Sequence, residues 1–312
     1  MTPATVPAWV VGAGGLLGRS VHGELERRGG PVRVSSVPWH DADAARAVLV
    51  RDARQFADDV RGGPWQLAWC AGAGVNGTTD EQFAVENSLL QATLDALAVA
   101  EPGHGALLYA SSAGGVYAGG DAAPFDEHSP VAALSAYGRA KLAAEDVVGE
   151  FTRRTGVPSV LARFANLYGP GQNLAKPQGL VSHLCRGYLL RRPVSIYVSM
   201  DTLRDYLYVT DAAEMTADAL ARALRHPDAD GPVVKVFASG RTVTIGALLA
   251  TCRAVFHTRP EVVLATSPLA AGQRRDLRLR SRVWPELDDR SHRTLVDGVA
   301  ATLASIRGQL TT

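Results

Sequence analysis

Cysteine is scarce in this sequence: three in 312 residues, Cys70, Cys185 and Cys252, none near another. That excludes a disulfide framework and leaves no closely spaced ligand set for a metal such as zinc. An excess of charge is missing as well, with 32 Lys plus Arg against 31 Asp plus Glu. Nucleic acids and anionic membranes therefore have no sequence-wide electrostatic attraction to exploit. No apolar run reaches the ~18 residues that cross a bilayer. The opening MTPATVPAWVVGAGG has neither the basic start nor the apolar core of a signal peptide. These absences lead us to expect a cytoplasmic globular protein with no metal, nucleic-acid or membrane partner. Lysine is equally scarce: Lys141, Lys176 and Lys235 stand among 29 arginines. A chain that uses Arg wherever a surface cation suffices needs a chemical reason for a lysine at a patterned position.

What is present is a chain 46% hydrophobic, long enough for about two domains of roughly 150 residues or one large α/β unit. Over the first 165 residues short apolar runs alternate with helical patterns, which predicts βαβ units and a parallel sheet. Strands are expected at 8–11, 32–37 and 105–112, with 66–74 a strand running into a glycine loop and 158–171 a strand entering a Gly/Pro loop; helices are expected at 16–28, 41–60, 81–100 and 136–156. Further on, a helix is expected at 179–192, strands at 194–198, 233–239 and 261–265, a strand-helix unit at 206–226, and helices near 244–256 and 292–310. The fold class is α/β, a Rossmann-type doubly wound parallel sheet with a smaller, discontinuous C-terminal cap. We divide it into a dinucleotide-binding unit, 1–168 and 206–240, and a substrate unit, 169–205 and 241–312.

Two local patterns carry chemistry. GAGGLLG (12–18) sets Gly12, Gly15 and Gly18 three apart between the first strand and the first helix. The first glycine permits the tight turn, the second lets backbone amides approach a pyrophosphate, and the third lets helix and strand pack closely. The spacing is also compatible with a purely structural turn, but its place directly after the first strand favours a dinucleotide. Tyr137 and Lys141 stand four apart at the start of a helix and share one face. An ammonium there stabilises a phenolate, as a proton-transfer group requires. Ser111 and Ser112 end the strand 105–112, and such carboxyl ends line the ligand crevice of a parallel sheet. Their hydroxyls are placed either to bind a substrate oxygen or to cap a glycine-rich turn.

The motifs GAGGLLG (12–18), CAGAG (70–74), Asn87, SSAGGVY (111–117), YGRAK (137–141), RFANLYGPGQ (163–172) and RDYLYVTDAA (204–213) together resemble the extended short-chain dehydrogenase/reductases. Within that superfamily the chain resembles the NAD-dependent epimerase/dehydratase family acting on nucleotide sugars. The resemblance covers nearly the whole chain. It implies that Tyr137 exchanges a proton with a sugar oxygen, that Lys141 tunes Tyr137 and holds the nicotinamide ribose, and that Ser112 orients the reacting oxygen. It implies cofactor contacts at Gly12, Gly15, Leu16, Gly18, Arg19, Ser36, Ala71, Gly72, Asn87 and Ser111, besides Tyr137 and Lys141. It also implies substrate diphosphate contacts at Asn166, Arg204 and Arg275, the last from QRRDLRLR (273–280), where Gln273 stands at the position the family's arginine often holds. Arg274 is the alternative to Arg275. Asp211 resembles a structural acidic residue, and the family implies a homodimer.

Two departures from the family pattern bear on function. NAD-preferring members end the second strand with an acidic residue; here Ser35, Ser36 and Val37 stand there, near Arg19, Arg33 and His40, which favours NADP(H) over NAD(H). Asp41 or Asp43 would restore NAD if the strand ran further. The commonest family hydroxyl position falls on Ala113, so Ser112 takes that role, and Gly114-Gly115 replace the Asp-Glu pair of the 4,6-dehydratases. We therefore expect an NDP-4-keto-sugar reductase. An NDP-sugar 4-epimerase that retains NAD is the alternative, and a non-catalytic dinucleotide sensor or scaffold is the reading from another class.

Overall fold

The computed structural model describes residues 6–72, 74, 78–101, 103–176, 178–226, 231–266 and 274–311. Six parallel strands form the main sheet: β1 (Ala8–Val11), β2 (Val32–Val34), β3 (Trp65–Trp69), β4 (Gly105–Ser112), β5 (Ser159–Phe164) and β9 (Val233–Phe237). Their order is β2-β1-β3-β4-β5-β9, so the chain reverses direction across the sheet between β1 and β3. Helix α1 (Leu16–Arg27) joins β1 to β2, and α2 (Ala42–Asp59) joins β2 to β3. The sheet is buried on both faces. Ala8, Val10, Ala68, Leu108, Val160 and Ala162 face one core, while Trp9, Val11, Leu67, Trp69, Leu107 and Leu161 face the other. That alternation is the two-residue period of strands covered on both sides.

The helix boundaries follow from local capping. The Asp41 carboxylate accepts hydrogen bonds from Asp43 N and Ala44 N and starts α2, an arrangement worth about 1 kcal/mol. Thr79 and Gln82 form a capping box that starts α3 (Asp80–Val99). The Ser135 hydroxyl accepts from Gly138 N at 3.1 Å and starts α5 (Ala136–Thr155), and Gly156, with φ of 72°, ends it in the left-handed conformation. Helix α5 packs Ala144, Val148 and Phe151 against Leu89, Leu90 and Leu94 of α3. Between β4 and α5 lies a single turn, α4 (Ala113–Val116).

Two departures from the sequence reading bear on the site. β2 ends at Val34, three residues before the expected limit; Ser35 beyond it accepts a hydrogen bond from Trp9 Nε1 at 3.0 Å. The strand expected within 158–171 is divided before its Gly/Pro loop. At Ala165, whose N–H donates to Phe237 O, the chain leaves the main sheet, and β6 (Asn166–Tyr168) pairs elsewhere. There β6 runs parallel to β8 (Leu203–Tyr208), which pairs antiparallel with β10 (Thr242–Thr244). β7 (Val194–Ile196) pairs with β11 (Val262–Leu264). A third core joins α6 (Leu180–Leu190), α8 (Ile245–Phe256) and α9 (Leu295–Thr311) through Leu184, Cys185, Leu248, Cys252, Val299 and Leu303. Helix α7 (Val209–Arg225) returns from β8 to the first core, with Leu220 and Leu224 inside it. Among the described residues no helix is long and apolar enough to cross a membrane.

Candidate active site

The carboxyl ends of β1, β3 and β4 converge on one crevice. At β1 the glycine turn is tight at two positions: a Cβ on Gly18 would lie 2.1 Å from Gly12 O, and one on Gly12, at φ of +91°, would lie 2.6 Å from Ala71 N. Gly12 is thus seated directly on the backbone that follows β3. Gly15 caps α1 with no side-chain hydrogen bond, and Leu16 opens the helix, so the first turn presents bare N–H groups, as an anion such as pyrophosphate requires. A Cβ on Gly72 would stand 3.7 Å from Lys141 Nζ, which connects this turn to α5. Of the motif 70–74, Ala73 lies outside the described residues.

Tyr137 is the second residue of α5, half-buried, and its ring lies against Gly115 so closely that a Cβ there would meet its Cε1 at 3.0 Å. Gly138 meets Gly115 O in the same way. Phe83 of α3 flanks the ring, with centroids 6.0 Å apart. Lys141, one turn along α5, donates to Ala110 O at 2.9 Å and to the Tyr109 hydroxyl at 3.1 Å, and its Nζ lies 5.8 Å from the centroid of the Tyr137 ring. Burial opposes its charge, but the phenols of Tyr109 and Tyr137 outweigh that and hold Lys141 above the ordinary lysine range. The Cys70 thiol nearby is pushed up to about 12 by burial, only partly offset by Lys141, and stays protonated.

The two serines separate. Ser112 is half-exposed at the strand end and accepts from Gly115 N at 3.2 Å, leaving its own O–H free to donate. Ala113, the commoner hydroxyl position, is fully buried in the core, so the hydroxyl open to the crevice is that of Ser112. Ser111, expected at the cofactor, turns its hydroxyl inward and donates to Glu145 Oε1 at 2.6 Å. Glu145 also holds Arg163 through two hydrogen bonds of 3.0 and 2.6 Å, and Arg163 donates to the Tyr117 hydroxyl. Both Glu145 and Arg163 are buried. Sequence reasoning missed this group, although Glu145 continues the face of Tyr137 and Lys141 by one more turn.

Asn87 donates to Ala140 O at 3.0 Å and so fastens α3 to the helix that carries the pair. Arg19 is exposed over the glycine turn, 3.3 Å from Gly14 O, with the loop at Gly171 beside it. Ser36 is exposed just past β2. Arg33 pairs with Asp59 at 2.6 Å and is thereby occupied, and Asp41 is occupied as a helix cap. Asn166 donates to Asp205 O at 3.0 Å. Arg204 is 8% exposed, bonds only backbone carbonyls of Leu203 and Arg275, and has no ion pair among the described residues. Burial pulls its guanidinium below the ordinary arginine value, against Tyr206 and Asp276. The Arg275 guanidinium, expected at the substrate diphosphate, pairs with Asp201 at the surface, and Arg274 lies over the Phe125 ring. Gln273 lies outside the described residues. Asp211 accepts from Arg293 N at 2.7 Å, a structural use. No cluster of potential metal ligands occurs among the described residues.

Known proteins resemble this chain in sequence and in fold. A dTDP-4-dehydro-6-deoxyglucose reductase of Escherichia coli is 26% identical over 202 residues, 64% of this chain and 61% of that enzyme. The match thus spans less than two thirds of that curated relative's length. The UDP-glucose 4-epimerase of Thermotoga maritima, solved with UDP-glucose, superposes with a TM-score of 0.80 at 20% identity, covering 98% of this chain and 100% of the other. That of Thermus thermophilus, solved with NAD, gives 0.77 at 22% identity, covering 97% and 99%. At these identities the superpositions show the fold alone. The model of the NAD dependent epimerase/dehydratase family matches residues 8–237, a span that includes the glycine turn, Ser112, Tyr137, Lys141 and Arg204. The chain belongs to that family.

Proposed function

We propose that this protein is an NDP-4-keto-sugar reductase, transferring hydride at C4 of a nucleotide-activated hexose with NADP(H) as cofactor. The observation that carries the reading is the half-buried Lys141 ammonium set against Tyr137, beside a glycine turn in which Gly12 and Gly18 have no room for a Cβ. Gly12, Gly15, Leu16, Gly18, Ala71 and Gly72 would hold the dinucleotide, with Lys141 on its nicotinamide ribose. When bound, the nicotinamide supplies the hydride. Tyr137 donates the proton to the forming C4 alcohol, Lys141 carries the positive charge that stabilises the phenolate left behind, and Ser112 donates a hydrogen bond to the same oxygen. Arg204, buried without an anionic partner among the described residues, suits a diphosphate, and Asn166 would lie beside it.

Support for NADP(H) comes from β2, which ends without a carboxylate, and from Asp41, which caps a helix; Ser36, Arg19 and His40 would then be the residues to meet a 2′-phosphate. The division into a dinucleotide unit (1–168 and 206–240) and a substrate unit (169–205 and 241–312), and assembly as a homodimer, belong to the same proposal. The second reading, a 4-epimerase that retains NAD, is favoured by the fold's likeness to two 4-epimerases. Denaturing the purified protein and identifying any released dinucleotide separates the two. Protein that arrives empty and then takes up NADPH supports the reductase, and stoichiometric NAD overturns it.

A further inference from the structure

Lys141 has more partners than a Tyr-Lys pair one turn apart requires. β4 is a central strand buried on both faces, and on the face turned to α3 and α5 it carries Leu107 and then Tyr109, 4% exposed. A leucine or phenylalanine would satisfy that packing. A buried phenol needs a partner for its hydroxyl, and the partner of Tyr109 is Lys141 Nζ at 3.1 Å. The same nitrogen donates to Ala110 O at 2.9 Å and lies 4.9 Å from the centroid of the Tyr109 ring. A lysine ammonium has three donors on a flexible stem. Two fixed acceptors on one strand remove that freedom and leave the third donor for the crevice.

We propose that Tyr109 is a positioning residue for the reaction: its phenol oxygen anchors Lys141 Nζ between β4 and Tyr137, so that the ammonium is already in place when substrate binds. This rests on the reading of Tyr137 and Lys141 as the reacting pair. The titratable groups that act on Lys141 are Tyr109 on β4, Tyr137 on α5, Glu86 on α3 and Cys70 after β3. Of these, Tyr109 hydrogen-bonds the ammonium directly.

The test begins with carbon-13 NMR of protein labelled at the lysine ε-carbons. With three lysines in the chain, the Lys141 signal is the one lost in Lys141→Arg. In the wild-type protein that signal is expected to be displaced by the adjacent rings and to titrate above ordinary lysine. Tyr109→Phe, which keeps the ring, should lower the midpoint by about one pH unit, the equivalent of one lost hydrogen bond. If that variant fails to fold, the wild-type titration still decides, because an undisplaced signal with an ordinary midpoint overturns the anchor. The second readout is hydride transfer against pH. Tyr109→Phe should lower kcat about tenfold with KM for the nucleotide sugar nearly unchanged, and should shift the pH limb upward. An unchanged Lys141 signal and profile in Tyr109→Phe overturns the proposal. Absence of turnover in the wild-type protein would instead count against the reductase reading, while the lysine titration would still report on Tyr109.

Discussion

Lys141 Nζ and the Tyr137 ring lie 5.8 Å apart on one face of α5, at the crevice formed by the ends of β1, β3 and β4. The helix delivers this relationship. Ser135 caps it two residues before Tyr137, and the i, i+4 spacing stacks the two side chains.

Tyr137→Phe keeps the ring packed on Gly115 and removes the proton. Turnover should fall by about 10²–10⁴-fold, while the dissociation constant for the dinucleotide, measured by fluorescence, changes little. Equal loss of binding and turnover would assign Tyr137 a structural role.

The glycine turn can be probed in pairs. Gly18→Ala places a Cβ 2.1 Å from Gly12 O, whereas Gly14→Ala meets nothing within 4 Å. We expect Gly18→Ala to destabilise the protein by about 1–3 kcal/mol and to weaken dinucleotide binding, with Gly14→Ala folding normally. Chemical denaturation and dinucleotide titration check both.

Beneath the site, Glu145 and Arg163 form a buried pair whose side chains are 6% and 7% exposed. Removing one partner strands the other. Arg163→Met should cost about 3–5 kcal/mol of stability, read from urea unfolding; a loss under about 1 kcal/mol, the scale of an exposed pair, would mean the pair is not maintained in solution.

Acid sensitivity has a specific source in Asp218. Burial raises its carboxyl pKa, but hydrogen bonds from Arg290 and Arg28 outweigh burial and hold it below the ordinary carboxylate range. The folded value is below the unfolded one, so this stabilisation is complete above about pH 4 and is lost as pH falls through the folded value. Asp218→Asn should therefore be less stable at neutral pH and lose less on acidification. The two stability curves converge at low pH; curves that stay parallel would contradict the linkage.

Much of this was legible because it is local. GAGGLLG sits where strand gives way to helix, Tyr137 and Lys141 are one turn apart, and the acidic start at Asp41 and the glycine at 156 mark helix ends by their own chemistry. What was not legible depends on long-range pairing. Ser111 and Ser112 are neighbours in sequence, yet one faces Glu145, 34 residues on, and the other faces the crevice. Arg275 pairs with Asp201, 74 residues earlier, and nothing local marks Ala165 as the point where the chain leaves the sheet. Tyr109 reads in sequence as one more apolar strand residue; only the arrival of α5 gives its hydroxyl a partner.

The most direct test of the central claim is isotope transfer from reduced dinucleotide carrying deuterium on the reactive face to an NDP-4-keto-6-deoxyhexose. Deuterium at C4 of the product sugar, formed by the wild-type protein and lost in Tyr137→Phe, is the predicted result. No deuterium at C4 with the wild-type protein, or equal incorporation by Tyr137→Phe, would contradict the account.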